Sequence, residues 1–184
     1  MKLFNSQLYY FAEPIRLKMS QQEQNVGQVV KVIKANKSHK SHILRLLDEF
    51  RTACMAIIDP SKNLISTTAI EFGGNIFNKV IDSPNSIIFL AVKNNKYIGI
   101  ATVYKIPQIR RGEYCAEIEE MYVEPKFWGK GVAQLFIDKI TGWAKEHNIK
   151  TVRLESSNEL KRAHGFYEKA GFRFYGRAYE KKIE

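Results

Sequence analysis

Ala116–Gln134 reads AEIEEMYVEPKFWGKGVAQ, and the fold turns on how it is read. Ala116 to Val123 is rich in β-formers, and Pro125 cannot continue a ladder, so a strand ends by Glu124. Gly129 and Gly131 follow. Val132, Leu135, Phe136, Ile140, Trp143 and Ala144 then recur at helical spacing, which predicts a helix over 130–147. A strand, a glycine turn and a helix start make an anion cradle. Glycines let a ligand come close to the backbone, and the unpaired N–H groups of a first helical turn attract negative charge. Lys126 and Lys130 flank the glycines and add positive charge. The common nucleotide loops do not fit. Gln134 stands where G-x-G-x-x-G needs its third glycine, and the G-x-x-x-x-G-K-[ST] pattern is not supplied.

The strand leading into the cradle carries Glu117, Glu119 and Glu120. Simple alternation puts Glu117 and Glu119 on one face and Glu120 on the other. Apolar residues follow neither phase: Met121 and Val123 side with Glu117, whereas Ala116, Ile118 and Tyr122 side with Glu120. A β-bulge would reconcile them and would expose backbone groups to a ligand. The glutamates are then either surface charges or a base for a neighbouring substrate.

Outward from this stretch, residues 86–92 and 96–106 predict two strands joined by an Asn94-Asn95 turn, with Gly99 at a bulge and Pro107 as a stop. Upstream, 29–34 predicts a first strand. A helix capped by Ser38 or Ser41 follows, with Ile43, Leu46, Leu47 and Phe50 on one face. Residues 52–66 read as irregular, and 67–81 as a second helix despite Gly73-Gly74. Downstream come a strand at 150–154, a helix at 159–169 closed by Gly171, and a last strand at 172–179. The order β-α-α-β-β-β-α-β-α-β predicts a single α/β domain over 29–184, a mixed sheet with helices on both faces. Residues 1–28 read as an N-terminal extension.

With 45% hydrophobic and 12% aromatic residues in 184, the chain can build a real core. A net charge of +10 favours polyanions, but no run of five like charges occurs, and no recognition helix or aromatic platform for nucleic acid is evident. No apolar stretch approaches the roughly 18–20 residues of a membrane span, and the first 18 residues lack a continuous apolar h-region and a small-residue cleavage site, so neither a span nor export is expected. Cys54 and Cys115 are isolated, so a reduced, cytoplasmic setting is expected. His39, His42 and His147 lack metal-ligand spacing and no metal site is expected; His164 reads as structural. Tyr167 lies on the apolar side of its helix, where a core tyrosine with a satisfied hydroxyl is the plain reading.

Two motifs together resemble the GCN5-related N-acetyltransferase (GNAT) superfamily. Lys126-Phe-Trp-Gly129-Lys-Gly131 is similar to its [Q/R]-x-x-G-x-[G/A] signature, with lysine in the first position. Ala163–Phe172 is similar to A-H-x-F-Y-E-x-x-G-F. The stretch I-E-E-M-Y-V-E-P is similar to the family's fourth strand, and the likeness runs from about Val29 to Tyr179. The resemblance implies an acetyl-CoA-dependent N-acetyltransferase acting on a primary amine, most simply a small molecule. Its alternatives are a protein or peptide acetyltransferase, or a non-catalytic acyl-CoA-binding regulator. It implies that Trp128, Gly129, Lys130, Gly131, Val132 and Ala133, with Lys126, hold the pyrophosphate. The backbone of Met121, Tyr122 and Val123 meets the pantetheine arm, and Asn158 contacts that arm. Glu119 or Glu120 is the base, with Glu117 third, and Tyr167 protonates the leaving thiolate. The resemblance also implies a monomer or a homodimer.

Overall fold

Ser86–Lys93 (SIIFLAVK) is apolar on both faces, and the sheet is assembled around it. The computed structural model describes residues 29–183, so the extension read at 1–28 lies outside the described residues. The elements are β1 (Lys31–Lys34), α1 (Lys40–Ile58), α2 (Thr68–Phe72), α3 (Gly74–Asp82), β2 (Ser86–Lys93), β3 (Lys96–Gln108), β4 (Glu113–Val123), α4 (Val132–Glu146), β5 (Val152–Leu154) and α5 (Lys161–Lys169). The strands stand in the order β1-β2-β3-β4-β5. The first three pairings are antiparallel, and β4 with β5 is parallel.

Each face of the sheet carries its own core. On one, Phe89, Ala101, Val103 and Ile118 pack with Val132, Phe136, Ile140 and Trp143 of α4, and Phe166 of α5 joins them. On the other, Leu90, Ile100 and Tyr122 pack with Ile43, Leu44 and Leu46 of α1 and Phe77 of α3. The expected α/β sheet with helices on both faces is therefore present.

The hairpin turn at Asn94 and Asn95 has φ of +49° and +58°, the doubly left-handed turn that matches strand twist. The bulge expected near Gly99 is there too, as a register shift at Ala91/Val92. A Cβ on Gly99 would stand 2.7 Å from the Tyr122 carbonyl oxygen and 3.2 Å from Phe136, so only glycine lets β4 and α4 close here.

Several boundaries differ from the sequence expectations. Pro107 does not end β3, which pairs Pro107 with Tyr114. The Lys105 N–H points to Asn85 beyond the start of β2. Two residues on, Pro107 faces the same side, where β2 has run out, so its missing N–H forfeits no ladder bond. The cap before α1 is neither Ser38 nor Ser41. Asn36 caps a short turn over Lys37–His39, accepting from the Ser38 amide at 2.9 Å. The α1 helix continues to Ile58 through residues that read as irregular. The second helix is broken at Gly73, where an added Cβ would meet the Ala69 carbonyl at 2.6 Å and Leu44 at 3.2 Å. Residues 172–179 form no strand: the outer edge of β5 is three residues long, and a strand there would gain few ladder bonds. Phe174, Tyr175 and Tyr179 are accordingly exposed.

Asp48 ties α1 to α2. It is buried, and accepts from Ser66 Oγ at 2.7 Å and from the Ala69 and Ile70 amides at 2.9 Å each. Burial alone would raise its carboxyl; the donors from Ala69, Ser66 and Ile70 outweigh that and hold it below the ordinary 3.8. Asp48→Ala should cost about 2 kcal/mol in urea unfolding at pH 7, because it removes a cap and strands buried donors. A depressed native pKa stabilises above the unfolded value, so the gap between wild type and variant should narrow as pH falls below about 4.

Candidate active site

The cradle forms where β4 hands the chain to α4. Pro125–Phe127 make one tight turn, Gly129 and Gly131 take φ of +73° and +79°, and α4 starts at Val132. Left-handed backbone at two positions selects glycine. The Trp128 and Lys130 amides are consumed inside the turn, by the Pro125 and Phe127 carbonyls. Among the described residues, the Gly129, Gly131, Val132 and Ala133 amides have no partner. A Cβ added at Gly129 or Gly131 would meet nothing within 4 Å, so the turn is uncrowded at both glycines. Diphosphate fits such a cradle: several N–H groups at the positive end of a four-turn helix, with Lys126 and Lys130 alongside. Trp128 enters through its ring and not its amide. Its indole Nε1 donates to the Val123 carbonyl at 2.6 Å, and Arg162 of α5 lies 4.6 Å over the ring.

Beside the cradle, β4 and β5 part. Their pairing covers only Ala116–Ile118 against Val152–Leu154. The Glu120 amide donates to Thr102 Oγ1 and the Glu124 amide to the Ile98 carbonyl, both on β3. Alternation therefore turns the Met121 and Val123 amides the other way, into the gap left by β5. The Tyr122 backbone faces β3, so of the three positions expected to meet an arm, Met121 and Val123 are presented and Tyr122 is not. The Tyr122 ring instead packs in the α1-side core, with Phe50 at 6.1 Å.

The bulge is in β4 itself. Thr102 pairs with Glu120 and Val103 with Ile118, which leaves Glu119 as the extra residue. This overturns simple alternation: Glu117, Glu120 and Tyr122 share the α1-side face, while Ala116, Ile118, Met121 and Val123 face α4. The three glutamates now separate by environment. Glu119 is exposed on the bulge. Glu117 is paired with Arg153 of β5, at 2.5 and 2.7 Å, and is committed to holding the strands together. Glu120 is inward, and among the described residues its Oε2 is buried with no hydrogen-bond partner. Burial, then the neighbouring Glu119 charge, push its carboxyl from the ordinary 4.5 up to about 7.

Tyr167 of α5 is half-buried, edge-on to Phe172 at 5.8 Å. Burial, with the Cys54 thiol adding to it, pushes its hydroxyl up to about 12. Asn158 is exposed in the loop between β5 and α5. In that loop the buried polar atom without a partner is instead Ser156 Oγ, which no local pattern singles out. On the α1 side, a recess of about 420 Å³ is lined by Arg45, Glu49, Ala53, Ile65, Ile70 and Tyr122. Arg45 holds its wall, donating to Glu49 at 2.5 Å and to the Tyr97 carbonyl at 2.8 Å. Among the described residues, no helix is long and apolar enough to cross a membrane.

A parted pair of parallel strands, a glycine cradle at the parting and a buried carboxyl beside it define an α/β domain built to bind an extended, phosphorylated ligand. The model of the acetyltransferase (GNAT) family matches residues 51–172, and the chain belongs to that family. Among curated proteins, N-acetylaspartate synthetase of Homo sapiens is 30% identical over 93 residues, covering 50% of this chain and 30% of that protein. An uncharacterized N-acetyltransferase of Mycobacterium tuberculosis is 24% identical over 127 residues, 69% of this chain and 78% of its own. The chain thus spans under a third of the synthetase it matches. Among solved structures, an aminoglycoside N-acetyltransferase in complex with CoA superposes with a TM-score of 0.69 at 16% identity, covering 85% of this chain and 96% of that one. A predicted acetyltransferase with acetyl-CoA from Clostridium acetobutylicum gives 0.66 at 23%, covering 84% and 96%. These structures share the fold.

Proposed function

We propose that the chain is an acetyl-CoA-dependent N-acetyltransferase that acylates the primary amine of a small molecule. The observation that carries this reading is Glu120, whose buried Oε2 has no hydrogen-bond partner among the described residues and which stands one residue from an amide turned into the β4–β5 gap. Acetyl-CoA, when bound, supplies a thioester carbonyl. The cradle amides hold its diphosphate, and Met121 and Val123 align the arm in the gap. An alkyl ammonium with a pKa near ~10 must lose a proton before it can attack, and Glu120 Oε2, poised near neutrality, takes it. Tyr167 keeps its proton at neutral pH and donates it to the departing sulfur. The recess beside Tyr122 holds the acceptor. Relatives named for small-molecule substrates, N-acetylaspartate synthetase and the aminoglycoside acetyltransferases, support this reading, while a ribosomal-protein-alanine N-acetyltransferase of the same fold supports a peptide acceptor. A purely regulatory acyl-CoA binder would have no use for Glu120 in its state.

The test is an amine library incubated with acetyl-CoA, following release of free thiol. No release with any amine, from protein that binds CoA in a calorimeter, would sink the enzymatic reading. Gly131→Ala probes the cradle. Its Cβ would intrude where φ is +79°, and CoA affinity should fall roughly tenfold. Gly142→Ala, inside α4 and also in open space, serves as control and should leave CoA binding unchanged.

A further inference from the structure

The tip of the β2–β3 hairpin lies against the loop that makes the cradle. Lys93, Asn94 and Lys96 from the hairpin and Lys126 and Phe127 from the loop line one recess of about 360 Å³. Three ammonium groups converge on the Phe127 ring: Lys126 Nζ at 5.3 Å from its centre, Lys130 at 5.5 Å and Lys93 at 5.8 Å. The ring's face attracts cations and gives their methylene stems an apolar seat, which accounts for how the lysines are held. It does not neutralise them. Among the described residues, only Lys126 of the four lysines has a carboxylate, Glu124 at 2.6 Å. That carboxylate is shared with Arg45, at 3.6 Å. Solvated lysines ordinarily spread apart, so three lysines on one concave wall, with Lys130 against the same aromatic ring and one shared counter-charge, make a site for an anion.

We propose that this lysine recess takes the 3′-phosphate of coenzyme A, as a second anion site next to the diphosphate cradle. The inference rests on the coenzyme reading above. Lys130 belongs to both sites: it stands between the two cradle glycines and also reaches the Phe127 ring. A ligand whose diphosphate sits on the Gly129–Ala133 amides therefore brings any further phosphate of its nucleotide into reach of the same loop. A phosphomonoester carries close to two negative charges at neutral pH and three acceptor oxygens, which suits several converging ammonium groups better than a carboxylate does. Lys93 and Lys96 would then read the one feature that separates coenzyme A from its dephosphorylated precursor.

Calorimetric titration with CoA and with dephospho-CoA tests this, on wild type and on a Lys93→Gln/Lys96→Gln double variant. Wild type should bind CoA roughly tenfold more tightly than dephospho-CoA at low salt. The double variant should lose that preference, with its dephospho-CoA affinity within about twofold of wild type. Equal wild-type affinities for the two ligands would overturn the recess as a 3′-phosphate site while leaving the cradle standing. So would a double variant that weakens both ligands alike, which would reveal a diffuse field. Failure of wild type to bind either ligand would instead remove the coenzyme reading, and the recess with it. A thermal melt of the double variant verifies that it is folded.

Discussion

Glu120→Gln should lower turnover by about 10²- to 10⁴-fold and at the same time make the protein more stable at pH 8. The first effect follows if Glu120 takes the ammonium proton as proposed above. The second follows from where that acceptor sits. In the folded chain burial and Glu119 push its carboxyl up to about 7, against an ordinary 4.5. Between these values the unfolded chain releases its proton while the folded one retains it, so ionisation favours unfolding. The wild type should therefore lose stability as pH rises from about 4.5 to about 7, and then level off. At 1.36 kcal/mol per pH unit, the gap has an upper bound of roughly 3 kcal/mol. The glutamine variant, with nothing to ionise, should lack this slope. Chemical denaturation of both proteins at pH 5 and pH 8 measures it; parallel profiles would show that Glu120 is not raised. The same group should shape the rate. Wild-type kcat/KM should climb close to tenfold per pH unit below about 7, a limb the variant lacks. Glu119 and Tyr104 share the neighbourhood, and both glutamates raise the Tyr104 hydroxyl after burial, so Glu119→Gln should shift that limb to lower pH.

Tyr167→Phe should reduce kcat by roughly 10²-fold and leave CoA affinity nearly untouched. The hydroxyl is held protonated by burial, and its ring contacts to Phe166 and Phe172 survive in phenylalanine. Single-turnover acetyl transfer alongside CoA titration separates the two quantities. A variant with wild-type kcat would remove Tyr167 from proton donation and return it to the core role that its apolar helix face also allows.

The cradle was legible because it is local. Two glycines, a proline and a helical apolar stripe lie within one stretch of chain, and each has a single physical use there. The Asn94-Asn95 turn was legible for the same reason. Choosing among the glutamates was not, because side-chain parity changes at a bulge and a bulge is decided by two strands together. Glu119 became the extra residue through its pairing with β3, and Glu117 was taken up by Arg153, 36 positions away. The helix running on to Ile58 was hidden because Ala53 and Ala56 line the α1-side recess, and of the two only the small Ala53 reaches the core. The strand expected at 172–179 has β-like residues, but strand pairing needs an edge, and β5 offers a very short one.

The bond from the Trp128 indole to the Val123 carbonyl has a directional consequence. Of the two backbone positions turned into the gap, Met121 offers both a donor and an acceptor. Val123 offers its N–H and an oxygen that already accepts from a side chain of the next loop. An amide lying in the gap is therefore better matched with its carbonyl toward Val123 than reversed, since a reversed amide would have to share that oxygen with the indole. One tryptophan thus gives the gap a preferred polarity along its length.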